Sequence, residues 1–225
     1  MVGALIIEDI LFGEKAILEE IKSLKGCKSP DPDEIPAKLL HRLARELAKP
    51  LSIMCQQSFD AGSLPSDWKT AHITPLHKSG IRALANSYKP VSFTSISCKV
   101  MERITKKETL NFFSYAQYGF RKVRSCATNL LYTMPSWTRA IDAKDTVNVA
   151  YVDFPKAFDS VPHQRLLHEL RVMDIGEKRL TWIENFLAGR FQTVCAGRQR
   201  PRPTVIKSGA PQGLVLFNLF VDDCV

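Results

Sequence analysis

TVNVAYVDFPKAFDSVPH, residues 146–163, is the stretch that decides the fold prediction for this chain. Its first part is apolar on both faces of an extended backbone, which is typical of a strand at the centre of a sheet. Asp153 ends that apolar run, where a buried carboxylate without a partner would cost several kcal/mol. The stretch therefore predicts a central strand with an aspartate at its C-terminal end.

Two roles fit Asp153 at the end of this strand. It can be a strand-end aspartate whose oxygens accept hydrogen bonds from the following turn. It can also be a magnesium ligand, because Mg²⁺ favours one or two carboxylates together with substrate phosphates. Asp159 lies further along the same stretch and need not face the same way. Spacing alone does not choose between the two roles.

The composition predicts a globular protein that prefers polyanionic partners. With 225 residues, of which 45% are hydrophobic, the chain can bury a core of ordinary size in one or two domains. Lys and Arg number 31 against 23 Asp and Glu, which gives a formal charge of +8. Such a balance favours nucleic acids, although many basic proteins bind none.

The cysteines and the N-terminus predict a reduced intracellular protein without a membrane anchor, in either the nucleus or the cytoplasm. The cysteines are far apart and form no CxxC pair, which argues against a zinc knuckle and against a small disulfide scaffold. The apolar run in residues 2–13 is interrupted by Glu8 and Asp9, and it lacks the basic flank of a signal peptide.

Helical periodicity dominates the N-terminal part of the chain. An opening helix is expected where apolar residues recur at helical spacing, at Ile17, Leu18, Ile21 and Leu24. Pro36 suits the first turn of a second helix, and Pro50 should kink or end that helix before a further helical piece.

Short strands and further helices are predicted for the rest of the chain. Residues 71–80 and 87–95 contain prolines that suit strands at an edge or in an irregular hairpin. Helices are expected at 98–113, before residue 146, at 163–173 and at 177–188, and a closing hairpin at 190–197 and 203–209. These elements indicate one continuous α+β unit.

Six segments along the chain resemble the reverse transcriptase of non-LTR (LINE-type, jockey-like) retrotransposons, in that family's order. They are KSPDPDEIPAKLL (28–40), LPSDWKTAHITPLHKSG (64–80), NSYKPVSFTSISCKVMERI (86–104), QYGFRKVRSC (117–126), YVDFPKAFDSVPH (151–163) and SGAPQG (208–213). The fifth resembles polymerase motif A and the sixth the start of motif B. The resemblance favours the magnesium-ligand role of Asp153.

The resemblance implies a right-hand polymerase whose palm is an antiparallel sheet, and thus an α+β fold of fingers plus partial palm. The expected divisions are a helical N-terminal region at 1–65, fingers at 66–146 and a partial palm at 147–225. The end of the palm and the thumb are expected to be missing, so the chain would be a fragment of an RNA-directed DNA polymerase.

By the resemblance, Asp153 is the first ligand of a two-Mg²⁺ site that is incomplete in this chain. The two ions would clamp the attacking 3′-hydroxyl and the pyrophosphate leaving group. Phe154 adjoins Asp153 in the implied nucleotide site. Phe158 matches a bulky position that closes against the 2′ side of the sugar and favours deoxynucleotides. From the residues alone, Phe158 also fits a core phenylalanine after a strand.

The resemblance assigns four more residues to the nucleotide. Lys78 and Lys89 match basic finger positions that approach the incoming triphosphate, although the family usually has arginine where Lys89 stands. Loss of the bidentate fork should weaken triphosphate placement. Gln212 and Gly213 match the motif B turn beside the template and nucleotide. A solvated surface position for each lysine and a plain turn for Gly213 are the alternatives.

A basic cluster of Arg121, Lys122 and Arg124 is placed near template RNA by the resemblance. Phosphate contacts of this kind carry little sequence information and depend strongly on salt. A solvated charged loop is the alternative. The implied partners are template RNA, a DNA primer and deoxynucleoside triphosphates, with no membrane.

The sequence departs from the family pattern near the N-terminus. Asp31 and Glu34 stand where the family usually has glycine. If either backbone needs a positive φ, the change costs on the order of 1 kcal/mol or more. The stretch before Gln117 is also shorter than in the family. These departures suggest a decayed copy of an element or a faulty gene prediction.

Asp222 and Asp223 resemble the paired aspartates of such polymerases, but they are not expected to be that pair. Only Leu214 to Val221 separate them from the PQG turn. Those residues span about 12 Å as a helix, at roughly 1.5 Å per residue, which is too short for a helix and an incoming strand. The isolated chain is therefore expected to be inactive. A nucleic-acid-binding remnant without chemistry is the alternative.

Overall fold

The computed structural model of the chain describes residues 9–24, 32–109, 115–119, 121, 123–153, 158–197 and 201–209. In this part the helices are α1 Glu14–Lys22, α2 Ala37–Arg42, α3 Ala44–Asp60, α4 Ile96–Thr109, α5 Cys126–Asp142, α6 His163–Val172 and α7 Glu177–Leu187. The strands are β1 Thr70–His77, β2 Tyr88–Thr94, β3 Phe191–Val194 and β4 Thr204–Val205. Within the same ranges, no helix has both the length and the apolar character needed to cross a membrane.

The strands form one mixed sheet in the order β2-β1-β3-β4. β1 and β2 are antiparallel, and so are β3 and β4, which confirms both predicted hairpins. β1 and β3 run parallel from Thr70↔Phe191 to Ile73↔Val194, a pairing that no sequence pattern predicted. The α+β class is confirmed. The sheet joins strands from both sides of the predicted boundary at residue 147, and that subdivision stays a prediction.

The prolines of the first hairpin lie where they do not disturb the sheet. Pro75 of β1 opposes Pro90 of β2. β3 pairs with β1 only as far as Ile73, so in the described part of the chain Pro75 has a strand neighbour on one side alone. Proline cannot donate a ladder hydrogen bond and is tolerated at such an edge. This confirms the expectation drawn from the prolines.

The hydrophobic core joins the N-terminal segment to α3 and α7 through aromatic rings. Phe12 and Phe59 have ring centroids 5.7 Å apart, Phe59 and Trp182 6.4 Å, and Trp182 and Phe186 5.1 Å. All four side chains are fully buried. Large aromatic side chains dominate the energetics of burial, so this row ties residues far apart in sequence into one core.

The opening helix is confirmed, with Ile17, Ile21 and Leu24 buried against the rest of the core. A buried carboxylate on the same helix, Glu20, links α1 to α4. Its oxygens lie 2.6 Å from Lys107 Nζ and 3.4 Å from Arg103 Nη1. Two cations on α4 thus compensate for the burial of this charge.

The expectation that Pro50 ends the helix is wrong, while a kink at Pro50 stays a prediction. The chain breaks at Leu43, between α2 and α3, and α3 continues through Pro50 to Asp60. Proline removes one backbone hydrogen bond from a helix interior. The buried positions Leu51, Cys55 and Phe59 keep one face of α3 packed beyond the proline, and this packing outweighs the lost bond.

The expected central strand at residues 146–153 is also wrong. This segment belongs to no strand, and its apolar side chains face solvent, with Val149 46%, Tyr151 88% and Val152 78% exposed. α5 immediately before it has no buried residue. A strand that is apolar on both faces needs neighbouring strands and covering layers. The described part of the chain places neither beside it.

Candidate nucleotide and nucleic-acid site

The register of the first hairpin places Lys78 and Lys89 on the same face. Leu76 opposes Lys89, and the backbone N–H of Lys78 donates to Ser87 O at 2.8 Å, which continues the register beyond β1. Opposed residues share a face and side chains alternate along a strand, so Lys78 lies diagonal to Lys89 on that face. Both are exposed. Two ammonium groups placed in this way can contact one polyphosphate.

An aromatic side chain and a third lysine extend this surface, which we call the lysine face: Lys78, Lys89, Phe93 and Lys99. Phe93 opposes His72 and therefore shares the face of Lys89. Lys99 of α4 places its Nζ 5.8 Å from the centroid of the Phe93 ring. Lys99 was missed from the sequence because its position depends on how α4 follows β2 in space.

The hairpin tip beside the lysine face is held by its own contacts. His77 Nε2 lies 3.1 Å from Gly80 O, and Tyr88 donates its hydroxyl to Arg82 O at 2.9 Å. Gly80 has φ +87°, and an added Cβ would meet Ser87 Oγ at 3.0 Å. The tip therefore presents Lys78 from an ordered turn rather than from a free loop.

A second feature is the tie between the turn at 158–163 and residues 208–209. Ser208 donates its hydroxyl to Asp159 O at 3.1 Å, and the N–H of Gly209 donates to Val161 O at 2.9 Å. His163 Nε2 lies 2.8 Å from Gly209 O. Because a carbonyl only accepts, Nε2 is the donor. The segments that resemble motif A and the start of motif B are thus joined directly.

Gly209 makes this close approach between the two segments geometrically feasible. Its φ is +94°, and an added Cβ would lie 2.9 Å from Phe158 O and 3.1 Å from Asp159 Cα. Glycine alone adopts such a backbone without strain and leaves room for the neighbouring main chain. The sequence signal for this position was the SGAPQG motif, which did not reveal the contact itself.

The sequence-predicted site residues have different outcomes in the structure. Asp153 is exposed and Phe158 is half-buried in the turn that residues 208–209 contact. Arg121 and Arg124 are half-buried in the loop before α5. The other predicted residues lie outside the described residues: Phe154, Lys122, Gln212, Gly213, Asp222 and Asp223. The placement of Arg121 near template RNA stays a prediction.

Arg124 binds within its own loop. Its Nη1 donates to the carbonyl of Tyr115 and, at 3.3 Å, to that of Gln117. Its guanidinium carbon lies 5.0 Å from the ring centroid of Tyr115 and 4.6 Å from that of Tyr118. One guanidinium group therefore orders the backbone and contacts two aromatic rings of the same loop.

A buried group of ionisable side chains lies elsewhere, on α4 and beside β3. Burial raises the pKa of the Glu102 carboxyl, and the nearby Arg190 guanidinium opposes that shift. Cys98 Sγ donates to Glu102 Oε1 at 3.5 Å, and burial holds the pKa of its thiol well above the ordinary value. Such a protonated, inert thiol fits a structural role.

The described ranges contain no preformed cluster of metal ligands. There, no three His, Cys, Asp or Glu side chains are grouped as a metal site would require. Mg²⁺ is commonly held by one or two carboxylates, with water and substrate phosphates as its other ligands. The exposed carboxylate of Asp153 fits one ligand of that kind.

The fold and these surfaces define an α+β domain with an exposed basic face suited to phosphate groups. Residues 76–225, more than half of the chain, match the family described as reverse transcriptase (RNA-dependent DNA polymerase). The chain belongs to that family. Its members are generally metal-dependent, and they act on nucleic acid and nucleotides.

Similarity to individual proteins extends over more of the chain than the family match. The chain is 27% identical over 221 residues to the RNA-directed DNA polymerase from mobile element jockey of Drosophila melanogaster. It is 27% identical over 218 residues to a probable RNA-directed DNA polymerase from transposon BS of the same species. Each alignment covers 92% of this chain and 24% of the relative.

A third relative comes from Popillia japonica. The chain is 25% identical over 169 residues to the Pol polyprotein from type-1 retrotransposable element R2 of Popillia japonica, an alignment that covers 72% of this chain. The chain spans about a quarter, 24%, of the length of each of these relatives. The resemblance to non-LTR retrotransposons is therefore confirmed.

Proposed function

We propose that this chain supplies the fingers and part of the palm of an RNA-directed DNA polymerase encoded by a non-LTR retrotransposon. The reaction is transfer of a deoxynucleotide to the 3′-hydroxyl of a DNA primer on an RNA template. The family membership and the names of the relatives support this proposal.

One observation carries the proposal furthest: the tie between the turn at 158–163 and residues 208–209. It joins a segment that follows Asp153 to one that leads into the PQG turn, through three hydrogen bonds. A polymerase site needs its metal carboxylate and its nucleotide-facing turn held in a fixed relation, because phosphoryl transfer depends on positioning. This tie would provide that relation from groups of the main chain and one imidazole.

The side chains divide into positioning and electrostatic roles in this proposal. Lys78 and Lys89 would hold the triphosphate from the lysine face as point charges. Asp153 would hold a magnesium ion, which when bound stabilises negative charge on the attacking and leaving oxygens. Phe158 would close against the 2′ side of the sugar. His163 would keep the turn at 158–163 in place through Gly209.

Primer extension tests whether this segment catalyses the reaction by itself. The 225-residue chain is assayed with a poly(rA) template, a DNA primer and Mg²⁺, and RNA binding is measured by filter retention at low and high salt. Incorporation that is lost in Asp153→Asn but kept in Asp159→Asn would support catalysis by this chain. Asp159 is the matched control because it is an exposed aspartate in the same region.

A non-catalytic nucleic-acid-binding role is the second candidate, favoured by the exposed basic surface of the hairpin. Salt-dependent retention of RNA without incorporation would support this role, because phosphate contacts need no metal carboxylate. Absence of retention even at low salt would contradict both candidates.

A further inference from the structure

The loop before α5 contains an exposed tyrosine, Tyr115, whose ring lies against Arg124. We propose that the ring of Tyr115 is a stacking platform for an unpaired base of single-stranded RNA, and that Arg124 holds this ring in place. The inference rests on the proposed function, since it assigns a base contact to the RNA strand that the polymerase would copy.

The first support is the way Arg124 engages Tyr115 at two points. Its Nη1 donates to the Tyr115 carbonyl, and its guanidinium carbon lies 5.0 Å from the centre of the Tyr115 ring. The same group contacts the Tyr118 ring at 4.6 Å. A planar guanidinium that bonds the main chain and contacts the ring fixes both parts of Tyr115 relative to the loop.

Among the described residues, further hydrogen bonds lie on either side of Arg124 in the chain. Gln117 Oε1 accepts from the N–H of Gly119 at 2.8 Å. Ser125 and Thr128 form a capping box at the start of α5, with bonds of 2.8 Å and 3.2 Å between side chains and backbone. Arg124 therefore lies between a hydrogen-bonded turn and a capped helix.

The second support is the exposure of the ring that is held in this way. Tyr115 is 89% exposed, whereas Tyr118 is half-buried. A base that stacks on a fixed ring loses less conformational freedom than one that must order a mobile side chain. Aromatic stacking accepts every base, and the formal charge of +8 attracts the phosphates beside it. These properties match a single strand of RNA.

The test compares two ligands of equal length, a fluorescent oligoadenylate and an abasic ribose-phosphate oligomer, by anisotropy with the 225-residue chain. Tyr115→Ala should weaken oligoadenylate binding by about 5- to 100-fold and leave abasic binding unchanged. Tyr115→Phe keeps the ring and should bind like the wild type. Tyr132→Ala is the matched control, because Tyr132 on α5 is 77% exposed.

Arg124→Gln separates a positioning role from a phosphate contact. If Arg124 positions Tyr115, the variant loses affinity for oligoadenylate alone and keeps the wild-type salt slope. If Arg124 contacts phosphate, the variant binds both ligands more weakly and its salt slope falls by about 1. That result would overturn the positioning role of Arg124.

The outcomes for Tyr115 and for the proposed function are distinguishable. Wild type and Tyr115→Ala binding both ligands equally would overturn the stacking site while leaving an RNA-binding polymerase segment intact. Failure of the wild type to bind either ligand at low salt would overturn the RNA-binding part of the proposed function, and the stacking site with it.

Discussion

The imidazole of His163 donates from Nε2 to the carbonyl oxygen of Gly209 at 2.8 Å, across 46 residues of sequence. His163 is the first residue of α6, and Gly209 follows the closing hairpin. The same glycine donates its N–H to Val161 O at 2.9 Å. Two bonds to one glycine thus fix the relative position of the segments that resemble motif A and the start of motif B.

Gly209→Ala should destabilise the protein by about 1–3 kcal/mol, because the new methyl would combine a strained φ with a clash against the main chain at 158–159. Gly197→Ala is the matched control: Gly197 has φ +62° and nothing within 4 Å of an added Cβ. Urea unfolding of both variants measures the difference. Equal losses of stability would show that the main chain at 158–159 moves away from the new methyl group without a cost in free energy.

Glu34→Gly should stabilise the protein by about 0.5–1 kcal/mol. The backbone of Glu34 has φ 55°, the positive value that the family's preference for glycine at this position suggested. Asp31 lies outside the described residues. Glycine removes the left-handed strain, although its greater freedom in the unfolded chain offsets part of the gain.

Glu184→Gly provides the comparison for that substitution. Glu184 is exposed in the interior of α7, so the same change should destabilise by about 1 kcal/mol. Thermal or urea unfolding should therefore give opposite signs for the two variants. A loss of stability in both would mean that the backbone at position 34 gains nothing from glycine.

Stability should fall as pH rises above the ordinary pKa of glutamate, because of Glu102. Burial raises the pKa of this carboxyl in the folded state. The folded protein therefore keeps the proton to higher pH than the unfolded chain does. The stabilisation is fully present below the unfolded pKa and is lost as pH rises through the folded pKa.

Glu102→Gln should flatten that pH dependence, since the amide does not titrate. Urea unfolding at a series of pH values from acid to neutral measures the slopes for the variant and the wild type. Glu19→Gln removes an exposed carboxylate on α1 and serves as the control. Parallel slopes for Glu102→Gln and the wild type would contradict the effect of burial.

Lys78→Ala and Lys89→Ala should each weaken binding of inorganic tripolyphosphate by about 3- to 10-fold, the loss of one charge-assisted contact at an exposed site. Lys89→Arg should strengthen it, because a guanidinium group can bind phosphate through two donors. Calorimetric titration measures these affinities. Lys49→Ala, an exposed lysine on α3, should bind like the wild type. An equal loss of affinity in that control would show that tripolyphosphate is attracted by the net charge of the protein and not by the lysine face.

The local pattern of the sequence determined much of the secondary structure and the family. The periodicity of Ile17, Ile21 and Leu24 predicted α1, and the last two helices and the closing hairpin also lie where predicted. Such elements depend on the spacing of apolar side chains over a short stretch of chain, and this spacing can be read directly from the sequence. The order of the motifs predicted the reverse transcriptase family, which the comparisons confirm.

Only the tertiary structure decided which of these elements meet. The parallel pairing of β1 with β3, the bond from His163 to Gly209 and the contact of Arg124 with Tyr115 each depend on the path of the chain between the partners. The segment 146–153 was apolar enough for a central strand, yet its side chains are exposed. A strand forms when neighbours supply hydrogen bonds and cover its faces, and those neighbours are not encoded in its own residues.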